Sequence, residues 1–182
     1  MGPAAAHAAA LDLAVKRIEQ NGQSMYEIEV SGVVRAPPAT VWKVLTSYDR
    51  MSEYLPDLTS CKVLSRNGNE LIVEQYGTAH FLFIPKAIHL IVRIMETPMS
   101  KIDVILISGD MKHYTSRWEL QPVPATGGTQ IRYSGSMMPD FYLPAMLGAS
   151  MIRSDINRML EAVLERIDSI HEQEGGAPLQ AR

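Results

Sequence analysis

Tyr114, Ser116 and Trp118 stand two residues apart in the run His113 to Gln121, and in an extended strand that spacing puts them on one face together with Leu120. If Trp118 turns inward, two hydroxyls lie beside an aromatic wall while Arg117 and Glu119 look at solvent. A second set arises in Glu70 to Thr78, where Leu71, Val73, Gln75 and Gly77 share an inward face and Gln75 brings a carboxamide. A buried hydroxyl or amide left unpaired costs about 1–3 kcal/mol, so each must find a partner in the protein, in water or in a bound molecule. These groups can orient a ligand, or a tyrosine or a histidine can move a proton.

Other chemistry lacks its pattern. His7, His80, His89, His113 and His171 show no H-x-x-x-H spacing, and the single cysteine forms no C-x-x-C, so no metal ligands are expected. Gly127-Gly128 has no phosphate-loop lysine behind it, no Gly-x-Ser-x-Gly elbow occurs, and no cofactor is expected. Cys61 opens a strand and reads as a small buried hydrophobe rather than a nucleophile. No residue is assigned a catalytic role.

The elements that position these groups follow from periodicity. Leu11, Ala14, Val15 and Ile18 predict a short accessory helix ended by Asn21-Gly22. Tyr26 to Ser31 alternates as a half-buried strand. Pro37-Pro38 opens a helix with the stripe Val41, Trp42, Val44, Leu45, and Tyr48 to Leu55 forms a second, stopped by Pro56. Strands are predicted over Cys61–Ser65, Glu70–Thr78, His80–Glu96 with a break at Pro85, Lys101–Ser108, His113–Gln121 and Thr129–Ser136. Their short links make an antiparallel meander. From Pro144 to Glu172, Ile152, Ile156, Leu160, Val163, Ile167 and Ile170 mark one long amphipathic helix. The fold class is α+β, ordered β-α-α-β-β-β-β-β-β-α, a curved antiparallel sheet wrapped around the C-terminal helix. Residues 1–24 are read as a tail with a short helix, 25–172 as the domain and 173–182 as a disordered tail.

Val30 and Val34 leading into Ala36-Pro37-Pro38, then Val41-Trp42-Lys43-Val44-Leu45, Tyr48 and Tyr54-Leu55-Pro56, are followed by Trp118 with Pro122, Gly128-Thr129-Gln130-Ile131-Arg132-Tyr133 and Leu160-Glu161-Ala162-Val163-Leu164. In order and spacing these resemble the START-like (SRPBCC) helix-grip superfamily, in its polyketide cyclase/dehydrase and coenzyme Q-binding branch. The resemblance covers about Met25 to His171. It implies carriage of a lipid, quinone or aromatic molecule between sheet and helix, or an aromatase/cyclase activity, and it supplies no universal catalytic motif.

One connection is unusual. Met137 to Leu147 carries two prolines, methionines and paired aromatics, where a link between sheet and helix is normally polar. It reads as a lid over an apolar pocket, as a plug closing the core, or as a patch touching a membrane or a protein partner. The candidate ligand-binding set is therefore Gln75, Tyr114, Ser116, Trp118, Phe141, Leu143, Leu147 and Met151. The expected partner is a small hydrophobic ligand; a polyketide cyclase/dehydratase and a protein-interaction module are the alternatives.

Composition narrows the remaining classes. The 182 residues are 46% hydrophobic, enough for one core, and 17 basic against 20 acidic groups leave a net charge of −3. That balance argues against a nucleic-acid partner. No apolar run approaches the roughly 18 residues of a spanning helix, so the chain is expected to be soluble. Nothing marks an oxidising compartment. The cytoplasm is favoured, while Ala6-His7-Ala8 has the small-x-small pattern of an export cleavage site. Nothing in the sequence sets the oligomeric state.

Overall fold

Asn21 and Gly22 hold φ at 51° and 74°, the positive pair that a tight two-residue hairpin turn needs. They join β1 (Asp12–Gln20) to β2 (Gln23–Val34), so the helix expected over Leu11 to Gln20 is a strand. The apolar residues of so short a run fit both periods. Pairing along β2 decides between them, setting Leu13 against Val30 and Val15 against Ile28. The computed structural model describes residues 11–81 and 84–176. The Ala-rich start with Ala6-His7-Ala8, and residues 177–182 of the expected C-terminal tail, lie outside the described residues.

After β2, Pro37 and Pro38 set φ for the first turn of α1 (Pro38–Thr46), which buries Thr40, Val41, Val44 and Leu45. A short 3-10 helix, Tyr48–Glu53, follows with Tyr48 buried. Six strands then run as a meander: β3 (Leu58–Asn67), β4 (Glu70–Phe81), β5 (Ile84–Thr97), β6 (Lys101–Gly109), β7 (Met111–Val123) and β8 (Gly128–Pro139). The chain ends in α2 (Gly148–Gln173). The order expected from sequence holds from β2 onward, with β1 added in front.

All eight strands form one antiparallel sheet in the order β1-β2-β8-β7-β6-β5-β4-β3. Register shifts in the β3–β4, β5–β6 and β7–β8 pairs add local twist and bend. Pro85 introduces no such shift; it pairs with His80 in an unbroken β4–β5 register. The curved sheet holds α2, which at 26 residues is about 39 Å long at 1.5 Å per residue. Its buried residues are Gly148, Ile152, Ile156, Leu160, Val163 and Ile167. The N-terminal half packs with Tyr26, Ile28, Val30 and Tyr133, and Val163 and Ile167 join the main cluster with α1 and β3 to β8. Glu174, expected in the tail, is tied down instead: Thr40 Oγ1 donates to it at 2.6 Å and Lys43 Nζ at 3.0 Å. The ordered unit thus passes residue 172. No helix among the described residues is long and apolar enough to cross a membrane.

Candidate functional site

Between the two core clusters lies a cavity of about 300 Å³, walled by the inner face of the sheet, the segment Tyr48 to Leu58 and the middle of α2. That volume is at the lower end for ligand pockets. At roughly 30 Å³ per water volume it takes about ten non-hydrogen atoms or more.

Alternation along β7 and β4 brings four expected residues together here: Gln75, Tyr114, Ser116 and Trp118 all line the cavity. Arg117 turns outward to pair with Asp103 at 2.5 Å, and Leu120 is buried in the core, as the strand period requires. The other four lie elsewhere. Phe141 packs against the main cluster, with Lys86 Nζ 5.1 Å from its ring centre, and Leu143 packs against the second cluster. Leu147 precedes α2 and is 39% exposed, and Met151 is half-buried in its first turn. None of these four is among the cavity-lining residues. The wall that sequence reasoning missed is Tyr133 and Met137 on β8, Tyr48 and Tyr54, and Ile156 and Met159 on α2. Alternation from Ile131 would have found Tyr133, whose register partner is Trp118 and whose ring centre lies 4.8 Å from that indole.

The polar groups of the cavity are mostly hydroxyls. Tyr114 donates to Ser116 Oγ at 3.4 Å. Burial holds the Tyr133 phenol well above its ordinary pKa, and its neighbour Tyr114 adds to the shift. Tyr48 donates to Glu96 Oε1 at 2.8 Å, and Glu96 in turn pairs with Arg66. Burial and then the Glu96 bond raise the Tyr48 pKa. The Tyr54 hydroxyl is buried without a hydrogen-bond partner among the described residues, and its pKa is pushed up to about 12 by burial. Gln75 Nε2 reaches only the sulfur of Cys61, at 3.8 Å, a weak acceptor. Cys61 is buried and its thiol pKa is raised by that burial, which leaves it protonated and unreactive.

Charge gathers at one place on the rim. Asp57 and Asp155 line the cavity, and Arg158 Nη2 donates to Asp57 Oδ2 at 2.8 Å and to Asp155 Oδ1 at 2.5 Å. The same nitrogen lies 3.0 Å from His80 Nδ1. His80 Nδ1 also lies 3.4 Å from Asp57 Oδ1. The His80 backbone N–H also donates to Asp155 Oδ2 at 3.3 Å. Burial first, and Asp57 with it, raise the Asp155 pKa. Ligand atoms of Asp57, His80 and Asp155 fall within 4.8 Å of one another, a grouping that the histidine spacing did not reveal. The cation among them is Arg158 itself. With side chains between 27% and 44% exposed, this cluster marks where the cavity meets solvent.

A curved eight-stranded antiparallel sheet gripping a long C-terminal helix is the helix-grip fold of the START superfamily, and solved structures of that superfamily match it. The sequence model of the family described as polyketide cyclase / dehydrase and lipid transport matches residues 34–164, and the chain belongs to that family. The Zhui aromatase/cyclase from Streptomyces sp. R1128 superposes with a TM-score of 0.71 at 16% identity, covering 84% of this chain and 99% of that one. A START superfamily protein from Mycobacterium smegmatis gives 0.69 at 12% identity over 79% and 98% of the two chains. A STAR-related lipid transfer protein from Xanthomonas axonopodis gives 0.65 at 13% over 85% and 98%. At such identities the likeness is one of fold. Among the curated proteins searched, none matches the sequence.

Proposed function

We propose that the protein binds a small hydrophobic molecule in the cavity between the sheet and α2. The observation that carries this reading is the cavity itself: a space of about 300 Å³ with Leu, Ile, Met and Trp walls and a few inward hydroxyls. Burial of apolar ligand surface favours binding by roughly 25 cal/mol per Å², and the polar groups set orientation. The family description, which includes lipid transport, and the lipid transfer protein among the structural neighbours support the same reading.

Titration with the uncharged fluorophore N-phenyl-1-naphthylamine tests it. One saturable site is expected, with Trp118→Ala weakening affinity beyond its effect on unfolding. Absence of saturable binding, or a folded variant with unchanged affinity, counts against the assignment.

Cyclase or dehydratase activity on a polyketide is the second reading, supported by the family description and by the aromatase/cyclase neighbour. The hydroxyls of Tyr114, Ser116 and Tyr133 are placed to donate. The histidine and carboxylates that could accept a proton lie at the half-exposed rim rather than in the buried interior. Binding is therefore the reading the geometry supports best.

A further inference from the structure

The described residues that line the cavity include no lysine, arginine or histidine; their charged members are Asp57 and Asp155. At the rim these two carboxylates face one guanidinium, Arg158, and the His80 ring, so this cluster offers an anion no net positive charge. Arg166, the nearest cation to the Tyr54 side, lies over that ring at 5.4 Å and is paired with Glu53. The cavity wall also holds a carboxamide donor that meets only a weak acceptor. Among the described residues Gln75 Nε2 reaches only a thiol sulfur, at 3.8 Å, while the hydroxyls of Tyr114, Ser116 and Tyr133 bond to one another.

From this distribution we propose that the cavity selects uncharged ligands carrying a hydrogen-bond-accepting oxygen, such as a ketone, quinone or ester, and rejects carboxylates and phosphates of the same shape. The inference rests on the cavity being the binding site. An anion entering would lose its hydration and pass Asp57 and Asp155 without meeting a cation inside, and hydroxyl donors alone do not offset the desolvation of a full charge. A carbonyl has far less hydration to lose and gains a donor that otherwise meets only a weak sulfur acceptor.

Calorimetric titration of the full-length protein at pH 7.5 with two isosteric pairs tests this: 2-acetylnaphthalene against 2-naphthoate, and 2-decanone against nonanoate. Each ketone is expected to bind about tenfold or more tighter than its carboxylate, the direction that the cost of burying an unpaired charge sets. Arg158→Gln leaves the two rim carboxylates unopposed and is expected to widen that ratio while changing ketone affinity by about twofold or less. A wild-type ratio below tenfold in both pairs, or carboxylates binding as tightly as ketones, overturns the charge selectivity and leaves the cavity as a binding site. Failure of all four compounds to bind overturns the cavity reading, and this inference with it.

Discussion

Gly148 faces the Tyr26 hydroxyl so closely that a methyl group at position 148 would overlap it and stand 2.8 Å from the ring carbon Cζ. The absence of a side chain at the start of α2 is what lets the helix settle onto β2. Gly148→Ala is expected to lower stability by about 1–3 kcal/mol through overpacking, although alanine favours a helix by up to about 1 kcal/mol. The Tyr26 hydroxyl is buried without a hydrogen-bond partner among the described residues, so Tyr26→Phe is expected to be neutral or stabilising. Urea unfolding of both variants checks the pair, and a Tyr26→Phe loss above about 1 kcal/mol would point to a bond that hydroxyl does make.

Tyr114→Phe separates carriage from catalysis. It keeps the ring and removes the donor to Ser116, so a pure binder should shift affinity by about 0.5–1.5 kcal/mol. An enzyme using that hydroxyl should lose about 10²-fold or more in turnover. The small shift in affinity is the expected result.

Two carboxylates are expected to give opposite pH slopes. Burial raises the Asp155 pKa above its usual 3.8, so the folded state holds that proton more tightly than the unfolded chain. The stability from this group is present below about 3.8 and falls as pH rises through the raised value. Bonds from Thr40 and then Lys43 lower the Glu174 pKa below 4.5, so its contribution is present above 4.5 and lost as pH falls through the lowered value. Between pH ~3 and ~7 the wild type should lose stability relative to Asp155→Asn as pH rises, and gain relative to Glu174→Gln. Unfolding curves across that range decide it, and a flat difference in either comparison removes that group's role.

The loop before α2 divides into anchors and a tip. Phe141 and Leu143 pack against the two clusters, while Tyr142 and Met146 are 84% and 95% exposed. Replacing Phe141 and Leu143 together by Ser is expected to cost about 2–4 kcal/mol. Tyr142→Ser with Met146→Ser should stay within about 0.5 kcal/mol. Thermal unfolding tests the contrast, and equal losses would show the tip to be buried as well. Co-sedimentation of the second variant with phosphatidylcholine vesicles checks whether the tip touches lipid.

Part of the cavity wall was legible because strands and helices repeat. Alternation placed Gln75 on β4 and Tyr114, Ser116 and Trp118 on β7, and the 3–4 spacing of Ile152 to Ile167 set the gripping face of α2. The rim cluster was not legible, since Asp57 and Arg158 are 101 residues apart and meet only through the fold. β1 was misread for a different reason. Asn21-Gly22 serves both as a helix stop and as a hairpin turn, and only the apolar face offered by β2 distinguishes them.

That hairpin protects β2. Leu11, Leu13 and Val15 pack against the cluster around Tyr26 and Ile28, and removal of residues 1–21 would leave β2 as an unpaired edge. The truncated chain is expected to be less stable and to associate with itself at high concentration. Size-exclusion chromatography over a dilution series reads this out, and a stable monomer would show the first strand to be dispensable.

Mechanically, α2 is a beam supported at its ends. One support is the seat of Gly148 on Tyr26; the other is Glu174, held by Thr40 and Lys43. Mid-span, Ile156 and Met159 pack with the cluster around Tyr133 and at the same time form part of the cavity wall. A guest that fills the cavity therefore presses on side chains that also hold the helix to the sheet, so its load is carried along α2 to both bearings.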